Sequence, residues 1–269
     1  MEWAVSCGVS VTGCLGSPHV ALLEVRGLSR RFGGLMAVCR LDLEVERGEI
    51  IGLIGPNGAG KTTLFSMLSG GLLPTEGDIH FKGKRLDGLP PHQVARRGLV
   101  RTHQLARPFQ NLSVLGNVLV GASFGHRERP VHGAHDARRE AMRALELTDL
   151  LTKADLPTGV LTLPDRKRLE IARALATRPE LLLLDEMAAG LNPSELAKAI
   201  TLLRSIRDEG TSLVFTEHVI KAVMDLSDRI VVLDHGEKIA EGKPEAIVQN
   251  PRVIEAYLGS PDKNARNAT

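Results

Sequence analysis

Residues 50–63 constrain this chain more than any other stretch. Ile50-Ile51-Gly52-Leu53-Ile54 is an apolar run of the kind carried by a buried parallel strand. Gly55-Pro56-Asn57-Gly58-Ala59-Gly60-Lys61-Thr62-Thr63 follows and fits G-x-x-x-x-G-K-[ST], the phosphate-binding loop. Gly55, Gly58 and Gly60 allow backbone angles that a Cβ forbids. The loop N–H groups then converge on a polyphosphate, aided by the N-terminus of a helix starting near Lys61. Lys61 supplies positive charge for β- and γ-phosphates, and Thr62 a hydroxyl for Mg²⁺. A strand before and a helix after favour nucleotide binding over a glycine-rich turn with a surface lysine.

Composition sets broad limits. The chain has 269 residues, 43% of them hydrophobic, enough for a sizeable core. A net charge of +2 does not argue for nucleic acid as a partner. Cys7, Cys14 and Cys39 are odd in number and lack metal-ligand spacing, so a reducing compartment is expected. There is no run of about 18 apolar residues, so any membrane role is expected to come through a partner. Residues 1–20 lack the basic start and long apolar stretch of a signal peptide and read as a poorly ordered extension; residues 260–269 read as a polar tail.

Leu41, Leu43 and Val45 alternate with Asp42, Glu44 and Glu46, a strand by its period of two. Phe32 precedes that strand. Its ring suits stacking on a base, but read locally it is an ordinary core or turn aromatic. A helix is expected over residues 64–73, a short strand over Ile79–Gly83 and a helical stretch from His92 to Arg97. Leu99 to Gln104 resembles a strand ending on polar residues. Helical spacing returns at Val114–Val120 and Ala137–Leu151, with a polar loop, Gly121 to His135, between them. His126, His132 and His135 in that loop have no other ligand chemistry beside them and read as solvated.

Arg166 to Thr177 reads as a helix ended by Pro179. Leu181-Leu182-Leu183-Leu184 then reads as a second buried strand, ending at Asp185-Glu186. Ligands bind at the C-terminal edge of such sheets. After a phosphate loop, these acids point to Asp185 holding Mg²⁺ and Glu186 polarising the attacking water. Ser194–Glu209 reads as a helix and Ser212–Thr216 as a third buried strand, followed by Glu217-His218. His218 suits a hydrogen bond to a γ-phosphate or a plain capping role equally. Residues 229–241 read as a hairpin around Asp234-His235-Gly236, and 243–258 as helical.

These pieces, in this order, resemble the ATP-binding subunit of an ABC transporter across about residues 22–259. The resemblance rests on Gly55–Thr62, Gln104, Leu181–Glu186 and His218, with the Leu169–Ala176 helix before the acidic strand. Leu28–Leu35, Arg101–Gln104, Asn117–Gly121, Arg168–Thr177, Ala188–Pro193 and Ile254–Gly259 make it similar to the branched-chain amino acid importer subunits in particular. The resemblance implies an α/β P-loop NTPase core with a parallel sheet, an antiparallel β subdomain and a helical subdomain inserted near 90–170, all within residues 21–259. It implies ATP and Mg²⁺ as cofactors. It places Phe32 at the adenine-stacking position, makes Gln104 the sensor of Mg²⁺ and the permease, and makes His218 the switch histidine. It implies membrane permease subunits, a second ATPase subunit and an indirect link to a solute-binding protein. The expected location is peripheral, at the cytoplasmic face of the inner membrane.

One departure stands out. Where the family carries a glycine-containing signature before the Arg166 helix, this chain reads Leu161-Thr162-Leu163-Pro164-Asp165. Thr162 replaces a serine hydroxyl, but neither glycine is present, and Pro164 has no N–H to give a phosphate. In the family this motif caps the ATP of the partner subunit. Asn192 and Val219 are smaller departures. Two alternatives to an importer ATPase follow: a regulatory, weakly hydrolysing subunit, which the 161–165 segment favours, and a soluble non-transport ABC ATPase. A single cassette with no room for a long coiled-coil insertion argues against the latter.

Overall fold

The computed structural model describes residues 21–102, 108–125 and 132–258. The expectations for residues 1–20 and 260–269, for Gln104 and for His126 lie outside the described residues.

Strand β1 (Leu23–Phe32) pairs antiparallel with β2 (Leu35–Val45) across the turn at Gly33-Gly34. β3 (Ile50–Ile54) runs into the phosphate loop and α1 (Lys61–Leu68). β4 (Glu76–Phe81) and β5 (Lys84–Arg85) complete a four-stranded sheet in the order β2-β1-β4-β5. Helix α2 (Pro91–Arg96) and strand β6 (Leu99–Arg101) come next. They lead into a helical stretch of α3 (Val114–Ser123), α4 (Gly133–Leu147) and α5 (Leu163–Leu175). The chain then alternates through β7 (Leu181–Asp185), α6 (Pro193–Asp208), β8 (Ser212–Thr216), α7 (Ile220–Leu226) and β9 (Arg229–Asp234). It ends in β10 (Glu237–Gly242), α8 (Pro244–Val248) and α9 (Pro251–Leu258).

The second sheet has the order β10-β9-β3-β8-β7-β6. All its neighbours are parallel except β10 on β9. The architecture is the expected one: a parallel core, an antiparallel sheet and a helical insertion. Both faces of the parallel sheet are covered, which is why its strands read as unbroken apolar runs. Ile51, Leu53, Leu181, Leu183 and Val214 face the antiparallel sheet and α1. Ile50, Ile54, Leu182, Leu184 and Phe215 face the helices α3 to α7.

Several boundaries differ from the sequence reading, each for a local reason. Helix α1 begins at Lys61 itself and stops at Leu68, because Gly70 turns the chain at φ +74°. Helix α4 starts at Gly133, so His132 and His135 belong to its beginning rather than to a loop. The expected helix over 243–258 is two, because Asn250 Oδ1 accepts from Arg252 N–H and caps a fresh start at Pro251. Helix α5 begins at Leu163, not Arg166, so the departing segment is its first turn.

Candidate functional site

Strands β3, β7 and β8 are parallel and adjacent in the order β3-β8-β7, so their C-terminal ends share one edge. That edge gathers the phosphate loop after Ile54, Asp185-Glu186 after β7 and Glu217-His218 after β8. It is the edge where open α/β sheets take ligands.

The phosphate loop is wedged between backbones. A Cβ on Gly55 would sit 2.1 Å from Leu233 O, and one on Gly60 2.4 Å from Ala37 O. Gly236, in the β9–β10 turn, donates its N–H to Ala59 O and accepts from Cys39 N–H. The loop is thus held by β2 on one side and the hairpin on the other. Lys61 is buried, and its Nζ donates to Gly55 O at 2.6 Å and Pro56 O at 3.0 Å. Burial pushes its ammonium below the ordinary lysine value, opposed by the Glu186 and Asp185 carboxylates.

A cavity of about 380 Å³ joins Phe32, Leu35, Met36 and Ala37 to Asn57 through Thr63, with Glu186 and His235 on its rim. Phe32 is 44% exposed there, so its local reading as a core aromatic is corrected. The Arg30 guanidinium lies 4.7 Å from its ring centroid. His235 is a wall residue that the sequence offered only as part of a turn.

Asp185 has both oxygens engaged. Thr216 Oγ1 donates to Oδ1 at 2.8 Å, and Arg101 Nη2 to Oδ2 at 2.8 Å. Glu186 has a positive φ of 47°, a region that costs a non-glycine residue about 1–3 kcal/mol. Its N–H reaches Thr216 O at 3.1 Å and Thr216 Oγ1 at 3.2 Å, which hold it there. Its Oε1 lies 3.0 Å from His218 Nε2. The loop after β7 is braced from two sides. Lys167 Nζ of α5 donates to Met187 O at 2.9 Å, and Glu217 accepts from Ala188 N–H at 2.5 Å. Burial pushes the Glu217 carboxyl above its usual range. Arg101, Lys167 and Glu217 were assigned no site role from the sequence, because only the tertiary structure brings them to this edge.

The first turn of α5 is closed upon itself. Thr162 Oγ1 donates to Asp165 Oδ2 at 2.8 Å and accepts from Asp165 N–H at 3.4 Å. Lys153 Nζ bonds the same Oδ2 at 2.6 Å. Leu163 is exposed, and its Cδ2 approaches the loop after Glu186, 3.3 Å from where a Cβ on Gly190 would stand. Asn192 caps α6 through a reciprocal pair with Glu195, at 3.0 and 2.8 Å, which accounts for an amide at that position.

The residues fit a nucleotide and a divalent cation. Close packing of Gly55 on Leu233 O and of Gly60 on Ala37 O fixes the loop's backbone, and the loop leads straight into the N-terminus of α1, the arrangement that presents N–H groups to a phosphate. Thr62 and Asp185 share the wall of a second, larger cavity of about 810 Å³. A hydroxyl and a carboxylate are the hard oxygen donors that Mg²⁺ prefers.

Comparison with known proteins supports the nucleotide. The family profile described as "ABC transporter" matches residues 38–189, and that described as "Branched-chain amino acid ATP-binding cassette transporter" matches residues 237–263. The Salmonella typhimurium protein named high-affinity branched-chain amino acid transport ATP-binding protein LivG is 45% identical over 249 residues, spanning 88% of this chain and 98% of the relative. The Pseudomonas aeruginosa protein of the same description, BraF, is 43% identical over the same shares. The crystal structure of MJ1267, an ATP-binding cassette of an ABC transporter in its ADP conformation, superposes with a TM-score of 0.81 at 27% identity, covering 90% of this chain and 100% of that one. A nucleotide-free cassette gives 0.80 at 27%, with the same coverage. With a phosphate loop and an acidic strand at one sheet edge, and relatives that run its whole cassette, the chain belongs to the ABC transporter family as an ATP-hydrolysing cassette of the branched-chain amino acid type.

Proposed function

We propose that this chain binds MgATP on the Lys61 loop, hydrolyses it with Glu186, and thereby drives uptake of branched-chain or related amino acids through separate permease subunits. The observation that carries the chemistry is the shared wall: Glu186 borders the same cavity as Lys61, Thr62 and the loop glycines. The substrate class comes from the names of the relatives.

In this reading Phe32 stacks on the adenine, and Gly55 to Thr63 wrap the phosphates with backbone N–H groups. Lys61 gives up its own loop carbonyls for the β- and γ-phosphate oxygens. Thr62 and Asp185 would hold Mg²⁺, with Gln104 joining them on the family resemblance, and the cation would neutralise phosphate charge. Glu186 accepts a proton from the attacking water, and His218 fixes the carboxylate through its 3.0 Å contact and reaches the γ-phosphate. Among the described residues no helix is long and apolar enough to cross a membrane. The relatives' description as transport ATP-binding proteins supports a peripheral subunit on the cytoplasmic face, paired with a second cassette, that meets the solute-binding protein only through the permease.

The test separates binding from chemistry. Lys61→Ala is expected to lose tight MgATP binding. Glu186→Gln is expected to bind ATP like the parent and to turn over about 100-fold more slowly or worse. Parent-like turnover in Glu186→Gln removes Glu186 from the chemistry. A weakly hydrolysing subunit is the second reading, favoured by the self-bonded first turn of α5; steady-state turnover with and without a partner cassette separates the two.

A further inference from the structure

Arg101 ends β6, beside the acidic strand β7. It joins the two elements that carry the metal-binding candidates. Its Nη2 donates to Asp185 Oδ2 at 2.8 Å, and its Nη1 donates to Ser66 Oγ at 2.9 Å. Ser66 lies one turn beyond Thr62 on α1 and donates its hydroxyl to Thr62 O at 2.7 Å. The side chains of Arg101 and Asp185 are only 10% and 6% exposed. Arg101, Asp185 and Thr62 line the same larger cavity.

The pair is not a finished structural bridge. Buried ion pairs that serve structure alone satisfy their remaining donors, because an unpaired buried N–H is costly. Arg101 Nε is buried and has no acceptor among the described residues. The guanidinium rests toward the Phe65 ring, 5.7 Å from its centroid, which holds it without satisfying that N–H. The bond from Thr216 already occupies the other Asp185 oxygen.

We infer that Arg101 is a positioning residue with an opposing charge: it keeps Asp185 in place and competes with a divalent cation for Oδ2, setting the Mg²⁺ concentration at which nucleotide and metal bind together. The inference rests on the reading that Asp185 holds Mg²⁺. Two physical effects pull against each other. Without the guanidinium beside it, the buried carboxylate stands next to Glu186 with Lys61 left to offset the charge of both. With one, an arriving dication meets a fixed positive charge at close range, in a region where water and salt screen little. The second effect decides metal affinity, because Thr216 still anchors the carboxylate when Arg101 is gone.

The probe is trinitrophenyl-ATP fluorescence on the full chain, titrated first in EDTA and then with Mg²⁺. In EDTA the parent, Arg101→Gln and Arg101→Lys are expected to bind within about twofold of one another, since the loop and Lys61 are untouched. With Mg²⁺, Arg101→Gln is expected to reach half-saturation at roughly 3- to 10-fold lower metal, and Arg101→Lys to stay near the parent, because it keeps the charge. A Gln variant that needs as much Mg²⁺ as the parent, or more, overturns the inference. Ser66→Asp is the second variant should Arg101→Gln not fold. It sets a carboxylate where Arg101 Nη1 now meets Ser66 Oγ, offsets the guanidinium charge and is expected to lower the Mg²⁺ midpoint in the same direction; an unchanged or raised midpoint counts against the inference. If the parent itself shows no Mg²⁺ effect on binding, Asp185 is not a metal holder, and the underlying reading falls with the inference.

Discussion

Gly60 shows how one atom shapes the phosphate loop. Its φ is +103°, and an added Cβ would stand 2.4 Å from Ala37 O, a backbone atom of β2 that cannot swing aside. Gly60→Ala must therefore move either the loop or the strand. It is expected to cost about 1–3 kcal/mol in urea unfolding and to weaken MgATP binding at least about tenfold. Parent-like affinity in that variant means that the loop has slack. Glu186 is the opposite case, a side chain kept at a strained φ of 47° although glycine would relieve it. Strain of that kind is retained where the side chain is needed. Of these features, the need for glycine at position 60 was legible from the motif. The strain at Glu186 was not, because it is imposed by Thr216 from a neighbouring strand.

Helix α5 carries the departure from the family pattern, and its first turn explains what the substituted residues do. Thr162 caps the helix, Pro164 sits where a first-turn N–H is dispensable, and Asp165 complements the positive end of the helix dipole. These are good reasons for a stable helix start and poor ones for a phosphate contact. Burial alone would raise the Asp165 carboxyl, but bonds from Lys153 and Thr162 outweigh it and hold the group below the ordinary aspartate value. A lowered value means that the unfolded chain takes up the proton first as pH falls. The stabilisation is thus complete above the ordinary aspartate range and is lost as pH drops through the folded value. Asp165→Asn is expected to lower unfolding free energy by about 1–3 kcal/mol at pH 7, with the gap to the parent closing below about pH 4. A gap that stays constant down to pH 3 would show that the charge is not what matters.

At the scale of the working assembly, resemblance places this first turn against the nucleotide of a partner cassette. Here it offers little: Pro164 has no N–H, and the Asp165 N–H and Thr162 hydroxyl are bonded to each other's residue. Asp165 adds negative charge, although Lys153 is bonded to it and Arg166, Lys167 and Arg168 follow. A homodimer of this chain is expected to hydrolyse ATP weakly, and a heterodimer with a glycine-signature cassette to be faster. In that heterodimer, Glu186→Gln here is expected to remove most activity, and the equivalent change in the partner little. Equal losses would mean that the Leu161–Asp165 turn serves as well as glycines do. What the sequence determined by itself was local: residues 50–63 carry loop chemistry in consecutive positions, and the apolar runs 181–184 and 213–215 reveal buried strands because both faces of each are covered. That is enough to specify the parallel core. What only the tertiary structure decided involves residues far apart in the chain: the meeting of Arg101 with Asp185, the grip of Lys167 and Glu217 on the loop after β7, and the exposure of Phe32 beside the phosphate loop. Strand order and register create those contacts, and hydrophobic periodicity records only which face a residue buries, not which strand lies beside it.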